Sequence, residues 1–142
     1  MKSFFLGERP LTTDLAILLL RILFGGVLIW HGLFMLENYA KYQPYTQDLI
    51  GIGAKLTYEL PMIFELVCGP LIVLGFLTRL SVIPLAIIMV LAYFVAHEKD
   101  EFGYKMAPFI LMCLTPVIFI LGSGKYSLDH LLFNNKFSRY AN

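Results

Sequence analysis

Charge is scarce in this sequence, since Asp, Glu, Lys and Arg make up 15% of its 142 residues, against about 25% in an average soluble domain. The formal net charge is +1 and no run of Lys and Arg occurs, which argues against a nucleic-acid partner or a polyanion-binding surface. Hydrophobic residues reach 58%, with a mean hydropathy of +0.74. A water-soluble fold could not bury that much apolar surface, so the composition indicates a membrane protein.

Cysteine is also rare, and neither Cys68 nor Cys113 belongs to a Cys-x-x-Cys motif or a Cys/His cluster with metal-ligand spacing. No residue set resembles a haem, flavin or metal centre. Both cysteines lie at similar predicted depth in apolar segments, which would permit a reversible disulfide; the alternative is that both are ordinary small apolar residues. The N-terminal segment lacks a signal-peptide cleavage pattern, so we expect the first apolar run to be retained.

Four apolar runs are long enough to cross a bilayer, at about residues 15–36, 58–77, 80–96 and 106–122. Thr12, Thr13 and Asp14 offer capping oxygens before the first run, and the Tyr-rich connection after it suits an interfacial belt. Gly25, Gly26 and Gly32 favour close helix packing. The runs lack a regular polar face, so the sequence predicts an all-α, integral membrane four-helix bundle, with residues 1–142 as a single domain.

The distribution of Lys and Arg outside the runs predicts the orientation in the membrane. Six of these cations would lie on one side and four on the other: Lys2, Arg9, Arg79, Lys125, Lys136 and Arg139 against Lys41, Lys55, Lys99 and Lys105. By the positive-inside rule, this excess predicts that both termini are cytoplasmic.

Four ionisable residues lie within or at the end of the runs: Arg21, His31, Glu65 and His97. A charge at the centre of a span costs about 2.5–3.5 kcal/mol and normally finds a partner inside the bundle. His31 lies about 7–8 Å below the outer end of the first run, and Glu65 lies about 10 Å below the outer start of the second. His97 marks the outer end of the third run. We therefore expect the three side chains to share a cavity in the outer half of the membrane.

Two arginines are expected to form ion pairs with carboxylates. Arg21 would reach Glu65 directly or through water, with Asp129 as the competing partner if the arginine extends inward. Arg79 and Asp129 would pair at the cytoplasmic boundary and close the bundle. Two interpretations of the buried cluster stay open: a structural one, in which it fixes helix register, and a functional one, in which Glu65 and the histidines exchange protons with a small polar head group such as a quinone ring.

Several segments together form a recognisable pattern in their order and spacing: Leu20-Arg21-Ile22, His31-Gly32, Glu65 with Gly69, Leu74-Gly75-Phe76-Leu77-Thr78-Arg79, His97, and Gly122-Ser123-Gly124-Lys125-Tyr126-Ser127-Leu128-Asp129. Through these segments the sequence resembles the DoxX family of small bacterial membrane proteins over nearly its whole length. Two segments depart from the usual family pattern, because Met35 stands where many members have a lysine and Cys68-Gly69-Pro70 replaces a Gly-Gly pair.

This resemblance implies a four-helix bundle in the bacterial inner membrane, similar to the small subunit of thiosulfate:quinone oxidoreductase and to members implicated in oxidative-stress assemblies. The resulting hypothesis is a quinone-interacting subunit in which Glu65 and His31 contact or protonate the ligand. Arg21 would balance charge, and His97 would admit protons from the outer face. A redox partner protein or soluble reductant would supply the electrons. A non-catalytic scaffold or assembly factor, a small transporter and a homo-oligomer stay open as alternatives.

Overall fold

The structure, a computed structural model, describes residues 13–134, and these residues form helices without strands. The elements are α1 (Thr13–Glu37), α2 (Tyr39–Tyr42) with a 3-10 turn (Gln43–Tyr45), α3 (Ala54–Leu74), α4 (Thr78–Leu91) with a π-helical extension (Ala92–Ala96), α5 (Phe102–Leu121) and a π-helical turn (His130–Asn134). The four long helices, counting the extension of α4, are each long and apolar enough to span a membrane. The predicted all-α four-span fold is therefore confirmed.

The helix boundaries differ from the predicted ones by three or more residues at three places, the first being the start of the second span, at Ala54 instead of about residue 58. The second span ends at Leu74, because Gly75 adopts the left-handed conformation (φ 69°) and the Phe76 amide donates to the Leu71 carbonyl at 2.9 Å. This is the glycine-terminated arrangement that commonly closes a helix. The fourth span begins at Phe102 instead of about residue 106 and is 20 residues long, long enough to cross the hydrocarbon core.

The core lies where the four spans meet. Its buried members come from every span: Phe24, Leu28, Cys68, Ile72, Val82, Leu85, Met89 and Ile118. The outer surface is also apolar, with Leu23, Trp30 and Ile120 exposed by 69%, 68% and 74%. A surface of this kind suits contact with lipid, and it agrees with the membrane environment that the composition indicates.

Helices α1 and α3 approach most closely where glycines face each other. A Cβ atom built on Gly25 would lie 2.7 Å from the Gly69 carbonyl oxygen, and one on Gly69 would lie 2.9 Å from Ile29 Cγ1. A Cβ on Gly26 would meet nothing within 4 Å. The predicted packing role is therefore confirmed for Gly25 and is wrong for Gly26, which points away from the α1–α3 seam.

The two ends of the bundle are built from different connections. We call the end formed by residues 75–77 and 122–134 the turn end, and the end formed by residues 38–53 and 97–101 the loop end. Thr12, Lys2, Arg9, Lys136 and Arg139, which entered the capping and orientation predictions, lie outside the described residues.

Candidate functional site

A histidine and a carboxylate meet between α1 and α3, with His31 in the half of α1 nearer the loop end and Glu65 close to the middle of α3. His31 Nδ1 of α1 lies 2.7 Å from Glu65 Oε2 of α3. Gly32 permits this approach, because a Cβ atom at that position would lie 2.9 Å from Leu66 Cγ and 3.3 Å from Glu65 Cβ. The structure thus brings together the two residues that the sequence placed at similar depth.

The two partners differ in exposure. The Glu65 side chain is 3% exposed, whereas the His31 side chain is 49% exposed. The residues one turn before and after His31 on the same face, Val27 and Phe34, are exposed by 47% and 40%. The imidazole is therefore reached from the apolar outer surface of the bundle, while the carboxylate is reached through the imidazole.

This geometry leaves one imidazole nitrogen available. Nδ1 is engaged by Glu65, and within residues 13–134 we find no hydrogen-bond partner for Nε2. A histidine that is oriented through one nitrogen can accept or donate a proton at the other, and an adjacent carboxylate stabilises its charged form. The His31–Glu65 pair can therefore hold a proton and present it toward the lipid-facing surface.

A set of polar contacts links α1, α2 and α3 at the loop end. Tyr58 donates to the Met35 carbonyl at 2.7 Å, and Tyr39 donates to Glu59 Oε1 at 2.6 Å. The hydrogen bond to the Glu59 carboxylate raises the pKa of the Tyr39 hydroxyl, because ionisation would remove the donated proton and leave a phenolate beside a carboxylate. The sequence predicted only an interfacial belt for these tyrosines, since their exact partners depend on the path of the 38–53 connection.

Arg21 binds at the turn end and not to Glu65. The residue is 1% exposed, and its two terminal nitrogens donate to the main-chain carbonyls of Ser123 and Tyr126. The predicted Arg21–Glu65 pair is wrong because the guanidinium lies against Gly75, ten residues and roughly 15 Å along the helix axis from Glu65. Asp129, the competing partner, does interact with Arg21 electrostatically.

The predicted Arg79–Asp129 ion pair is also not formed within the described residues. Arg79 donates from Nε to the Phe119 carbonyl at 3.1 Å and from Nη2 to the Ile120 carbonyl at 3.4 Å. Asp129 instead accepts the Leu77 amide at 3.0 Å, and its own amide donates to the Gly75 carbonyl at 3.1 Å. Each residue closes the turn end through backbone groups, which a prediction from charge alone does not consider.

The other candidates lie apart from the His31–Glu65 pair. His97 Nδ1 lies 2.7 Å from Asp100 Oδ2 at the loop end, so the expected convergence of three ionisable groups is reduced to two. Cys68 is buried and Cys113 is exposed, and both are free thiols, so the disulfide alternative is not formed. Among residues 13–134, no three His, Cys, Asp or Glu side chains are grouped so as to hold a metal ion.

The fold and this pair define a class of protein, a small four-span membrane protein with an imidazole–carboxylate contact near its lipid-facing surface. The DoxX family model matches residues 16–98, which include the first span from residue 16 onward, the next two spans, His31 and Glu65. The chain belongs to the DoxX family.

Two relatives extend this comparison, and neither has an assigned function. The chain is 28% identical over 113 residues to an uncharacterized protein of Haemophilus influenzae, covering 76% of the chain and 73% of the relative. It is 31% identical over 132 residues to an uncharacterized membrane protein of Mycobacterium tuberculosis, covering 82% of the chain and 81% of the relative. No solved structure gives a significant match.

Proposed function

We propose that this DoxX protein is a quinone-interacting subunit of a membrane redox or oxidative-stress system, with His31 and Glu65 as its ligand-contacting groups. The observation that carries the proposal is the 2.7 Å contact between a half-exposed imidazole and a buried carboxylate. Ionisable groups at membrane depth are costly, and an arrangement that leaves one of them accessible favours function over simple structural neutralisation.

A quinone fits the chemistry of this surface. Its ring carries carbonyl oxygens that accept hydrogen bonds, and its apolar tail keeps it in the bilayer, from which His31 is reached. Exposed aromatic groups stand beside the histidine, with the rings of Trp30 and Phe34 stacked at a centroid distance of 6.1 Å. A flat ring could therefore pack against apolar and aromatic side chains while it accepts a hydrogen bond from His31 Nε2.

The contribution of the chain is to hold and move a proton. A bound quinone would supply the redox chemistry, since its reduction to a quinol takes up two electrons and two protons. A partner redox protein or a soluble reductant supplies the electrons. His31 would deliver the two protons one at a time from Nε2, regaining a proton from the aqueous side between the two transfers, and Glu65 would stabilise the imidazolium through Nδ1 and orient the ring.

Proton access from the loop end is the role we propose for His97. Its imidazole contacts Asp100, and the two side chains are 40% and 48% exposed at the end of the bundle nearer His31. Side chains that are exposed to this extent can exchange protons with water. We further propose the bacterial inner membrane as the location, with both termini cytoplasmic, so that the loop end faces outward.

The deciding experiment is thermal unfolding of the purified protein with menaquinone and ubiquinone analogues. The wild type should be stabilised as ligand concentration rises, by about 2.7 kcal/mol at a hundredfold excess over Kd. Glu65→Gln should fold but lose most of this response. Glu59→Gln is the matched control, because it removes a carboxylate of the same helix that binds Tyr39 instead of His31. Absence of a shift in the wild type, or an equal shift in Glu65→Gln, would contradict the proposal.

A non-catalytic scaffold is the competing function, and the Arg21 contacts favour it, because they show a buried charge used only to join segments of the fold. If His31 and Glu65 serve the same purpose, Glu65→Gln should lower the unfolding temperature without changing any ligand response. The unfolding temperatures of Glu65→Gln and Glu59→Gln, each measured with and without the quinone analogue, therefore distinguish the two functions.

A further inference from the structure

An open groove of 580 Å³ lies at the turn end, between the start of α4, the end of α5 and the segment after α5. Its lining includes Leu77, Thr78, Arg79, Leu121, Asp129 and Phe133. The volume is within the range of small-molecule sites, about 300–1,000 Å³. The groove is separate from the His31–Glu65 pair, so a ligand bound in it is independent of the proposed quinone function.

Two opposite charges line this groove without contacting each other. Arg79 uses Nε and Nη2 for carbonyls of α5, and Asp129 uses Oδ1 for the Leu77 amide. Within the described residues, Arg79 Nη1 and Asp129 Oδ2 have no hydrogen-bond partner, which leaves one donor group and one acceptor available. The Thr78 hydroxyl, in a residue that is 1% exposed, also lacks a partner in this part of the chain.

The groove lies at the depth of lipid headgroups. Thr78 is the first residue of α4 and Leu121 is the last of α5, so the groove marks the boundary of the hydrocarbon core, where headgroups begin. Its apolar lining residues Leu77, Leu80 and Phe133 are exposed by 41%, 62% and 51%. An acyl chain can lie along these residues while its headgroup occupies the polar part of the groove.

We propose that this groove binds a phosphoethanolamine lipid, with the phosphate on Arg79 and the ammonium on Asp129. The charge pattern selects this headgroup. A simple anionic headgroup would bring a second negative charge toward the Asp129 carboxylate and offer it no ammonium donor. A phosphocholine headgroup carries a cation that has no N–H to donate. Phosphoethanolamine offers a phosphate for the guanidinium and three N–H donors for the carboxylate, whereas phosphoserine, which has the same two groups, adds a carboxylate that would be repelled by Asp129.

Lipid retention after detergent release, measured by native mass spectrometry, tests the assignment. The full-length protein is reconstituted with equal amounts of phosphatidylethanolamine, phosphatidylcholine and phosphatidylglycerol that share the same acyl chains. We expect phosphatidylethanolamine to be retained about tenfold over either competitor, the effect of one charge-assisted hydrogen bond. Equal retention of the three lipids, or retention of none, would overturn the proposal.

Variants locate the binding in the groove. Asp129→Asn preserves an oxygen acceptor for the Leu77 amide and should abolish the preference for phosphatidylethanolamine, whereas Arg79→Gln should reduce retention of all three lipids. Lys125→Gln is the matched control, since it removes an exposed cation of the same end that contacts Asp14 and does not line the groove. Unchanged preference in Asp129→Asn would overturn the proposal even if Arg79→Gln does not fold.

A competition arm distinguishes the lipid from its free headgroup. Millimolar phosphoethanolamine without acyl chains should leave the bound phosphatidylethanolamine in place, because the apolar rim contributes to binding. Displacement by the free headgroup would contradict the assignment of a membrane lipid as the ligand.

Discussion

Buried charged side chains have different kinds of hydrogen-bond partner toward the two ends of the bundle. At the turn end, Arg21 is 1% exposed and donates to two main-chain carbonyls, groups that neither titrate nor move independently of the fold. Toward the loop end, Glu65 is equally buried but contacts His31, a titratable side chain that is half exposed. The first arrangement fixes a charge permanently, whereas the second leaves a route by which a proton can enter or leave.

This difference indicates where function should be sought in a small membrane protein. A buried ionisable residue is not by itself a functional residue, because backbone acceptors can satisfy it completely. The partner decides the role, and of the two buried charged residues within residues 13–134, Glu65 is the one that contacts a titratable side chain. Four changes, taken from the largest expected effect to the smallest, test the comparison.

Replacing Arg21 should give the largest loss of stability. Arg21→Met removes the hydrogen bonds to the Ser123 and Tyr126 carbonyls and should lower the free energy of unfolding by about 3 kcal/mol. Arg21→Lys keeps the charge, so its free energy of unfolding should lie between those of Arg21→Met and the wild type. Denaturing-detergent titration of the micellar protein measures both. A loss below about 1 kcal/mol in Arg21→Met would show that these carbonyl contacts do not hold the turn end.

Adding a methyl group between α1 and α3 should give the second-largest loss of stability. In Gly25→Ala the new methyl group would meet Val73 Cγ2 at 2.6 Å and the Gly69 carbonyl oxygen at 2.7 Å, so the helices must separate. We expect a loss of about 2 kcal/mol by the same titration. Gly26→Ala, one residue along and facing open space, should be unchanged within about 0.5 kcal/mol. Equal losses in the two variants would contradict the described seam.

Neutralising Glu65 should lower the free energy of unfolding less than replacing Arg21 does. Glu65→Gln retains an oxygen that can contact His31 and should lower stability by about 1 kcal/mol, with its main effect on ligand response. Unfolding titrations without ligand measure this difference directly. A loss as large as that of Arg21→Met would remove the distinction between the two ends and support the scaffold function.

The smallest effect concerns alkaline pH at the loop end. The Glu59 contact raises the pKa of Tyr39 above its usual value of 10.0, so the stability that this contact adds is complete below pH 10 and is lost as pH rises through the folded-state pKa. The difference in unfolding temperature between wild type and Tyr39→Phe should therefore shrink above pH 10. A difference that is constant from pH 8 to pH 11 would count against this contact.

The fold was predictable from hydropathy because each span had to be long and apolar, and the structure confirms all four. The depth argument also brought His31 and Glu65 together, since rise per residue is a property of any helix. The boundary at Gly75 was missed because apolar Phe76 and Leu77 extend the hydropathy signal past the residue that ends the helix. A glycine before the Thr-Arg link was the available signal for that boundary.

The partners of Arg21, Arg79 and Asp129 were not predictable from side-chain identity. Their hydrogen bonds go to backbone groups, and every residue carries a carbonyl, so the sequence does not distinguish Ser123 or Phe119 from its neighbours as an acceptor. Pairing opposite charges was therefore a reasonable rule that failed at the turn end. It also failed for Glu65, which contacts His31 instead of Arg21, and that contact was predicted from depth and not from charge.

The position of the Arg21 acceptors has a consequence for biosynthesis. They lie 102 and 105 residues later in the chain, beyond the last span, so the first helix must enter the bilayer before the groups that satisfy its arginine have been translated. During that interval the guanidinium depends on water, headgroups or the insertion machinery. A nascent chain halted before Ser123 would thus hold its first helix less firmly than one extended past Tyr126, although the two contain identical transmembrane segments.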